Sequence, residues 1–258
     1  MTASTTTLPR IAPPPPRRTV QWGKARAALG RLIADPERTD QVFELIDALA
    51  GDAGERHFQR FLRAPEAPRL LAEKPSLLRH LSDRARLEAL PPGTLGREYA
   101  RFMRAGGIEA QGLVDASDEA ERRTGEPPID ADREWFYARL RDMHDLWHVV
   151  TGYGRDLAGE ATLLSFTHAQ IRNRGIGAIV LAAIAKGPKS LDLAWPRYLW
   201  RAWRRGQRAS LLPAARWEEL LRLPLDEVRR RLCVSDPEDA HPGGILVSDG
   251  ETLRAAAS

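Results

Sequence analysis

Two histidines one helical turn apart, His144 and His148, bracket an aspartate, Asp145, and after eleven intervening residues comes Glu160. Imidazoles at this spacing are a recurrent metal-binding device, because both neutral rings can turn a nitrogen lone pair towards one ion. On a helix advancing about 100° per residue the three side chains share about one quadrant. Trp135, Met143, Leu146, Trp147 and Val150 fill the adjoining apolar arc, so the pair borders a core rather than open water. Glu160 cannot join them on an unbroken helix, where it would point about 120° away from His148. Gly152 and Gly154 lie between. They permit a reversal, so the next helix returns antiparallel and aims Glu160 at the histidines. The expected product is a nitrogen and oxygen ligand set on facing helices. It suits Zn²⁺, Mn²⁺ or Fe²⁺ and leaves room for one further ligand. Asp145 either ligates or orients a histidine.

Three neighbours bear on what such an ion could act upon. Arg141 lies one turn before His144 on the same side of the helix wheel. Its guanidinium either grips a carboxylate or phosphate with two prongs or pairs with Asp145, four residues on. Tyr137 is either a phenol in the same cavity or a core tyrosine. His168 sits about 80° around the helix from Glu160, as a pocket wall or an ordinary residue. His57, His80 and His241 have no such company and read as ordinary surface or core residues.

The segments that must hold these groups read as helices almost throughout. Asp35-Pro36 supplies a capping acid and a first-turn proline before Val42, Phe43, Leu45, Ile46 and Leu49. Short helices gather at Phe58, Phe61 and Leu62 and at Leu77, Leu78 and Leu81, and Gly106-Gly107 closes another through Leu95 to Met103. Asp130 opens a long stretch to Val150, and a further helix runs from near Arg155 towards Asn173. Alternating strand patterns are nearly absent, so the class is all-α. The pattern predicts a single helical domain over 20–234, with a disordered Pro-rich tail at 1–19 and a flexible tail at 235–258.

At 258 residues and 43% hydrophobic, the chain has material for a substantial core and is not wholly disordered. One cysteine, Cys233, excludes an internal disulfide and Cys-rich zinc sites. The longest apolar run, 176–185, is half of the roughly 20 residues that span a bilayer. It reads as a tunnel wall, a membrane-facing helix or a core helix. Beyond it, Trp195, Tyr198, Trp200 and Trp203 interleave with Arg197, Arg201, Arg204, Arg205 and Arg208, with no acid over 193–217. Such a belt suits the headgroup region of an anionic membrane. Its rival is a solvated helix face contributing to a homodimer. Basic residues number 39 against 35 acidic ones, a balance that argues against nucleic acid as a partner. Only four of the basic residues are lysines, as expected of a GC-rich bacterial genome.

The string His144-Asp145-x-x-His148-x11-Glu160, with Arg139-x-Arg141 before it and Gly159 preceding the glutamate, resembles the zinc-binding signature of the ubiquinone (coenzyme Q) biosynthesis protein family. Gln170, Leu95-Gly96-x-x-Tyr99-x-x-Phe102, Trp203-Arg204-Arg205-Gly206, Trp217-Glu218-x-Leu220-Leu221 and Pro224-Leu225-x-Glu227-Val228-Arg229 extend the likeness over most of 30–234. Between glutamate and glutamine the chain departs from the family, reading Leu163-Leu164-Ser165-Phe166-Thr167-His168. The resemblance implies an all-α, membrane-peripheral protein with an apolar tunnel for a polyprenyl chain. It implies oxidative decarboxylation of a polyprenylated 4-hydroxybenzoate-derived precursor, the C1 carboxyl giving way to a hydroxyl. Its non-catalytic alternative is a lipid-binding scaffold for the other ubiquinone-biosynthesis enzymes. Under the enzymatic reading His144, Asp145, His148 and Glu160 hold the metal, Zn²⁺ ahead of Fe²⁺ or Mn²⁺. Arg141 and Glu160 are catalytic, and Tyr137, Arg141 and His168 bind substrate. The expected setting is the bacterial cytoplasm, at the inner membrane. A different class of enzyme, a His-Asp-type metal phosphohydrolase, would instead complete the site with His57 or His80 and Asp156 or Asp192, leaving Glu160 dispensable.

Overall fold

Asp130 and Asp156 show why two helices begin where they do. In the computed structural model of the chain the Asp130 carboxylate accepts the backbone N–H groups of Asp132 and Arg133, and the helix Ala131–Asp142 follows. Asp156 accepts those of Ala158 and Gly159, and the helix Leu157–Ile171 follows. Each cap satisfies donors that a helix start leaves without intrahelical partners. The structure describes residues 11–34, 39–107, 129–187, 193–249 and 252–255. Asp35, Pro36 and Asp192 lie outside them. Among the described residues the regular structure is helical, as the pattern predicts, except for an antiparallel hairpin of Leu246–Asp249 with Thr252–Ala255. They group into two compact units, each drawn from three stretches of chain.

The first unit comprises Met1–Pro16, Glu55–Leu146 and Leu211–Val228. Phe58, Phe61, Leu70, Leu71 and Phe136 form a buried cluster, with Trp135, Tyr137, Leu140 and Ile11 packed against it. The helix Leu95–Gly106 closes on Gly107, whose φ of 63° is the left-handed cap expected at a helix end. Two arginines lie inside this unit. Arg133 donates to both carboxylate oxygens of Glu55, at 2.7 and 2.8 Å. Arg139 donates to both of Glu218, at 2.5 and 3.0 Å, and to the Ala215 carbonyl at 2.9 Å.

The second unit comprises Arg17–Gly54, Trp147–Ser210 and Arg229–Ser258. Its frame is the helices Leu157–Ile171 and Ala194–Arg208. Ser165 donates to the Leu199 carbonyl at 2.8 Å, and Gln170 to that of Gly206 at 2.6 Å. The apolar run of the sequence forms the helix Arg174–Lys186. Ala178 and Ile179 pack on a cluster of Ala28, Leu45 and Leu49, while Val180, Ala183 and Ile184 pack on Trp195, Tyr198 and Leu199. Two apolar neighbours therefore account for its apolarity on several sides, and Leu181 is left exposed. The aromatic and arginine run divides in the same way. Trp195, Tyr198 and Arg205 are buried, whereas Arg197, Trp200 and Arg201 face outward.

Residues following Val234 differ from the flexible tail the composition suggests. Arg205 donates to the Ser235 carbonyl at 2.9 Å, Pro237–Ala240 is a short helix, and His241 is 1% exposed. The cause is aromatic packing: the His241 ring lies 5.6 Å from that of Tyr153 and 4.0 Å from that of Tyr198.

Candidate metal centre

His144, Asp145 and His148 occupy one short helix, His144–Thr151, and their ligating atoms lie within 4.8 Å of one another. Neighbours at these spacings on one helix meet without help from the rest of the chain. His144 Nδ1 is 3.4 Å from Asp145 Oδ1. His144 is half-buried and His148 fully so, which makes the first the more accessible end of the group.

This helix is not continuous with the one before it. Met143 stands between the two with right-handed helical angles, and its N–H bonds to the Arg139 carbonyl four residues back. Arg141 donates through Nε to Asp142 Oδ1 at 3.3 Å. Tyr137 is half-buried against the phenylalanine cluster, its ring 5.7 Å from Phe136.

His148 is the most constrained of the candidate ligands. Its Nδ1 lies 3.1 Å from the Tyr153 carbonyl oxygen. A carbonyl has no proton to give, so the ring donates there. In the neutral ring the lone pair then sits on Nε2, 3.3 Å from Glu160 Oε1. A lone pair and a carboxylate in that arrangement repel each other. A shared cation, either a proton on Nε2 or a metal ion, turns repulsion into attraction. The donor set and its directions thus fit a divalent ion.

Glu160 reaches His148 through glycine geometry, though not quite the geometry the spacing suggests. Gly152 takes φ of +77°, a left-handed turn that releases the chain from the histidine helix. Gly154 does not adopt a positive φ. It matters because Gly159 crosses it closely: a Cβ at 159 would overlap the Gly154 carbonyl and lie 2.7 Å from its nitrogen. The residue next to that crossing is Glu160. Gly159→Ala is expected to cost about 1–3 kcal/mol in overpacking. It should weaken metal binding as well, because the glutamate helix must shift. Thermal melting and metal titration of the purified variant check both. A variant as stable as the parent would mean that the crossing is looser than described.

The other titratable groups are engaged elsewhere. His168 is half-buried beside the next helix, where a Cβ on Gly177 would come 2.9 Å from its Nε2. Burial, and then Arg172, hold its pKa below the ordinary histidine value. His57 lies in the aromatic cluster, its ring 5.5 Å from Phe136. Asp156 caps its helix and accepts from Ser248 at 2.6 Å. Of the residues that a phosphohydrolase would recruit, His57 and Asp156 therefore have structural tasks. Three contributors had no local signal in the sequence. Tyr153, His241 and Ser248 become visible only through contacts between residues far apart in the chain.

Comparison with known proteins supplies a second line of observation. The family described as coenzyme Q (ubiquinone) biosynthesis protein Coq4 matches residues 20–238 of this chain. The chain belongs to the Coq4 family. A mitochondrial ubiquinone biosynthesis protein COQ4 homolog from Danio rerio is 30% identical over 230 residues, covering 86% of this chain and 79% of the relative. The Rattus norvegicus homolog is 28% identical over 223 residues, covering 83% and 77%. A crystallised protein from Nostoc punctiforme, assigned to ubiquinone biosynthesis, is 25% identical with a TM-score of 0.61, over 84% of this chain and 100% of that one. Membership of the Coq4 family supports a role in ubiquinone biosynthesis. Among the described residues no helix is long and apolar enough to cross a membrane.

Proposed function

We propose that this Coq4 family member carries out C1 decarboxylation and hydroxylation of a polyprenylated 4-hydroxybenzoate-derived precursor. His144, Asp145, His148 and Glu160 would hold a divalent ion, Zn²⁺ in the first instance. The observation that supports the metal is the direction of the His148 ring, with Nδ1 committed to the Tyr153 carbonyl and Nε2 facing the Glu160 carboxylate. Bound there, the ion supplies Lewis acidity for the negative charge that develops as CO₂ departs. The net change removes CO₂, adds a hydroxyl drawn from water, and releases two electrons and two protons. An electron acceptor from outside the chain is therefore part of the reaction.

Arg141, with a side chain 19% exposed, would hold the departing carboxylate by charge-assisted hydrogen bonds. In the second unit Arg197, Trp200 and Arg201, with Leu193 and Pro196, line an open hollow of about 450 Å³. A guanidinium and indole surface of that kind suits anionic headgroups, in keeping with a protein lying on the cytoplasmic face of a membrane beside other ubiquinone-pathway enzymes.

Gene deletion followed by mass spectrometry of the accumulated precursors tests the reading. The expected precursor retains its C1 carboxyl, and neither Glu160→Ala nor His148→Ala relieves the accumulation when present at normal abundance. Quinone restored by Glu160→Ala would turn the reading towards a non-catalytic scaffold. A precursor that has already lost the carboxyl would move the protein to another step.

A further inference from the structure

We infer that the C-terminal segment 235–249 acts as a strap that positions the two ligands His148 and Glu160, with His241 and Ser248 as its points of attachment. The inference rests on the metal reading above for its purpose, and on the following contacts for its substance. Tyr153 is the residue whose carbonyl oxygen takes the His148 Nδ1 proton, at 3.1 Å. That hydrogen bond fixes the ring only if the carbonyl itself stays in place. Tyr153 is 1% exposed, and its hydroxyl lies 2.9 Å from His241 Nε2, across 88 residues of sequence. Arg205 holds the same turn from another side. Its guanidinium lies over the Tyr153 ring at 5.3 Å, donates to the Thr151 carbonyl at 2.6 Å, and donates to the Ser235 carbonyl at 2.9 Å, where the strap begins.

The far end of the strap holds the other ligand's helix. The Ser248 backbone N–H and hydroxyl both donate to Asp156 Oδ1, at 2.6 and 2.8 Å. That same oxygen caps Ala158 and Gly159, immediately before Glu160. Between the two attachments Leu246 donates its N–H to the Tyr198 hydroxyl at 3.0 Å. One segment thus restrains the turn that orients His148 and the cap that starts the helix of Glu160. Two ligands on separate helices serve one ion only when both are held to a fraction of an ångström. Partners that orient ligands in this way change metal affinity when removed, by about 10- to 100-fold.

The test uses the full chain and two readouts that do not depend on turnover. Zinc affinity is measured by chelator competition for the parent, His241→Ala, Ser248→Ala and His241→Gln. Long-range ¹H–¹⁵N spectra of the metal-free proteins report which nitrogen of His148 carries the proton. The expected result is a loss of zinc affinity of about 10-fold or more in His241→Ala, and a smaller loss in Ser248→Ala, which keeps the backbone N–H bond to Asp156. His241→Gln, whose amide can still meet the Tyr153 hydroxyl, should recover most of what His241→Ala loses. The parent should keep a proton on Nδ1 throughout, whether or not Nε2 also carries one, and His241→Ala should show a fraction of rings without it. Unchanged affinity and an unchanged tautomer in both alanine variants would overturn the inference, even if their melting temperatures fell. Should His241→Ala fail to fold, Ser248→Ala and His241→Gln decide the matter by the same measurements. A parent that binds no zinc would remove the metal reading, while the tautomer spectra would still decide whether the strap orients His148.

Discussion

Glu218→Ala should lower the stability of the protein by about 3–5 kcal/mol, the range found when one partner of a buried ion pair is removed. The Arg139 side chain is 1% exposed and that of Glu218 12%. The pair is bidentate, with the guanidinium also donating to the Ala215 carbonyl and lying over the Trp135 ring at 5.5 Å. Taking away the carboxylate leaves a permanent positive charge in an apolar setting, because arginine cannot shed its proton. Glu218→Gln retains one acceptor oxygen and should cost less. The double variant Arg139→Met with Glu218→Leu should recover most of the loss, since a buried pair contributes little net stability against apolar residues of similar size. Urea unfolding of the four proteins distinguishes these outcomes. A Glu218→Ala variant within about 1 kcal/mol of the parent, the range of exposed pairs, would mean that water reaches Arg139 in the folded state.

Arg139 also illustrates what the sequence could and could not disclose. It stands two residues from Arg141 inside the likeness to the ubiquinone-biosynthesis family, and nothing in that string separates a ligand-gripping arginine from a fold-holding one. The separation comes from Glu218, 79 residues away. Local chemistry was legible: Asp130 announces its helix, Gly107 ends one, and His144, Asp145 and His148 share a helix face because their spacing requires it. The approach of Glu160 to His148 was legible because glycines lie between them, although the close crossing falls at Gly159 rather than at a left-handed Gly154. Long-range pairing was not legible. The segment after Val234 carries Asp-Pro, His-Pro-Gly-Gly and a small-residue finish, and it is docked by contacts spanning 88 and 92 residues that no local window contains.

His57 carries a consequence of the same kind for acid stability. Its ring is 2% exposed within the cluster of Phe58, Phe61 and Phe136, and neither of its nitrogens has a hydrogen-bond partner among the described residues. Loss of hydration on burial, and then the nearby Arg60, push its pKa down to about 4 from an ordinary 6.5. Below the ordinary value the unfolded chain takes up a proton that the folded chain refuses, so acidification favours unfolding. The contribution of the neutral ring is therefore intact above about pH 6.5, drains as the pH falls, and is fully lost once the pH has passed below about 4. Over that interval the loss is about 3 kcal/mol from this one residue. His241 is pushed down to about 4 as well, by burial and then by Arg205 and Arg201, and adds to the same slope. His57→Phe removes the proton-binding site and two unsatisfied buried polar atoms, leaving a ring suited to its aromatic neighbours. The variant should be more stable than the parent at neutral pH, and its stability should fall less steeply between pH 6.5 and 4. His241 and His168 should contribute to the slope that remains, and carboxylates paired with arginine, such as Glu55, add to it towards pH 4. Denaturant unfolding at a series of pH values measures both quantities. Parallel pH profiles for parent and variant would show that His57 takes up its proton as readily in the fold as outside it.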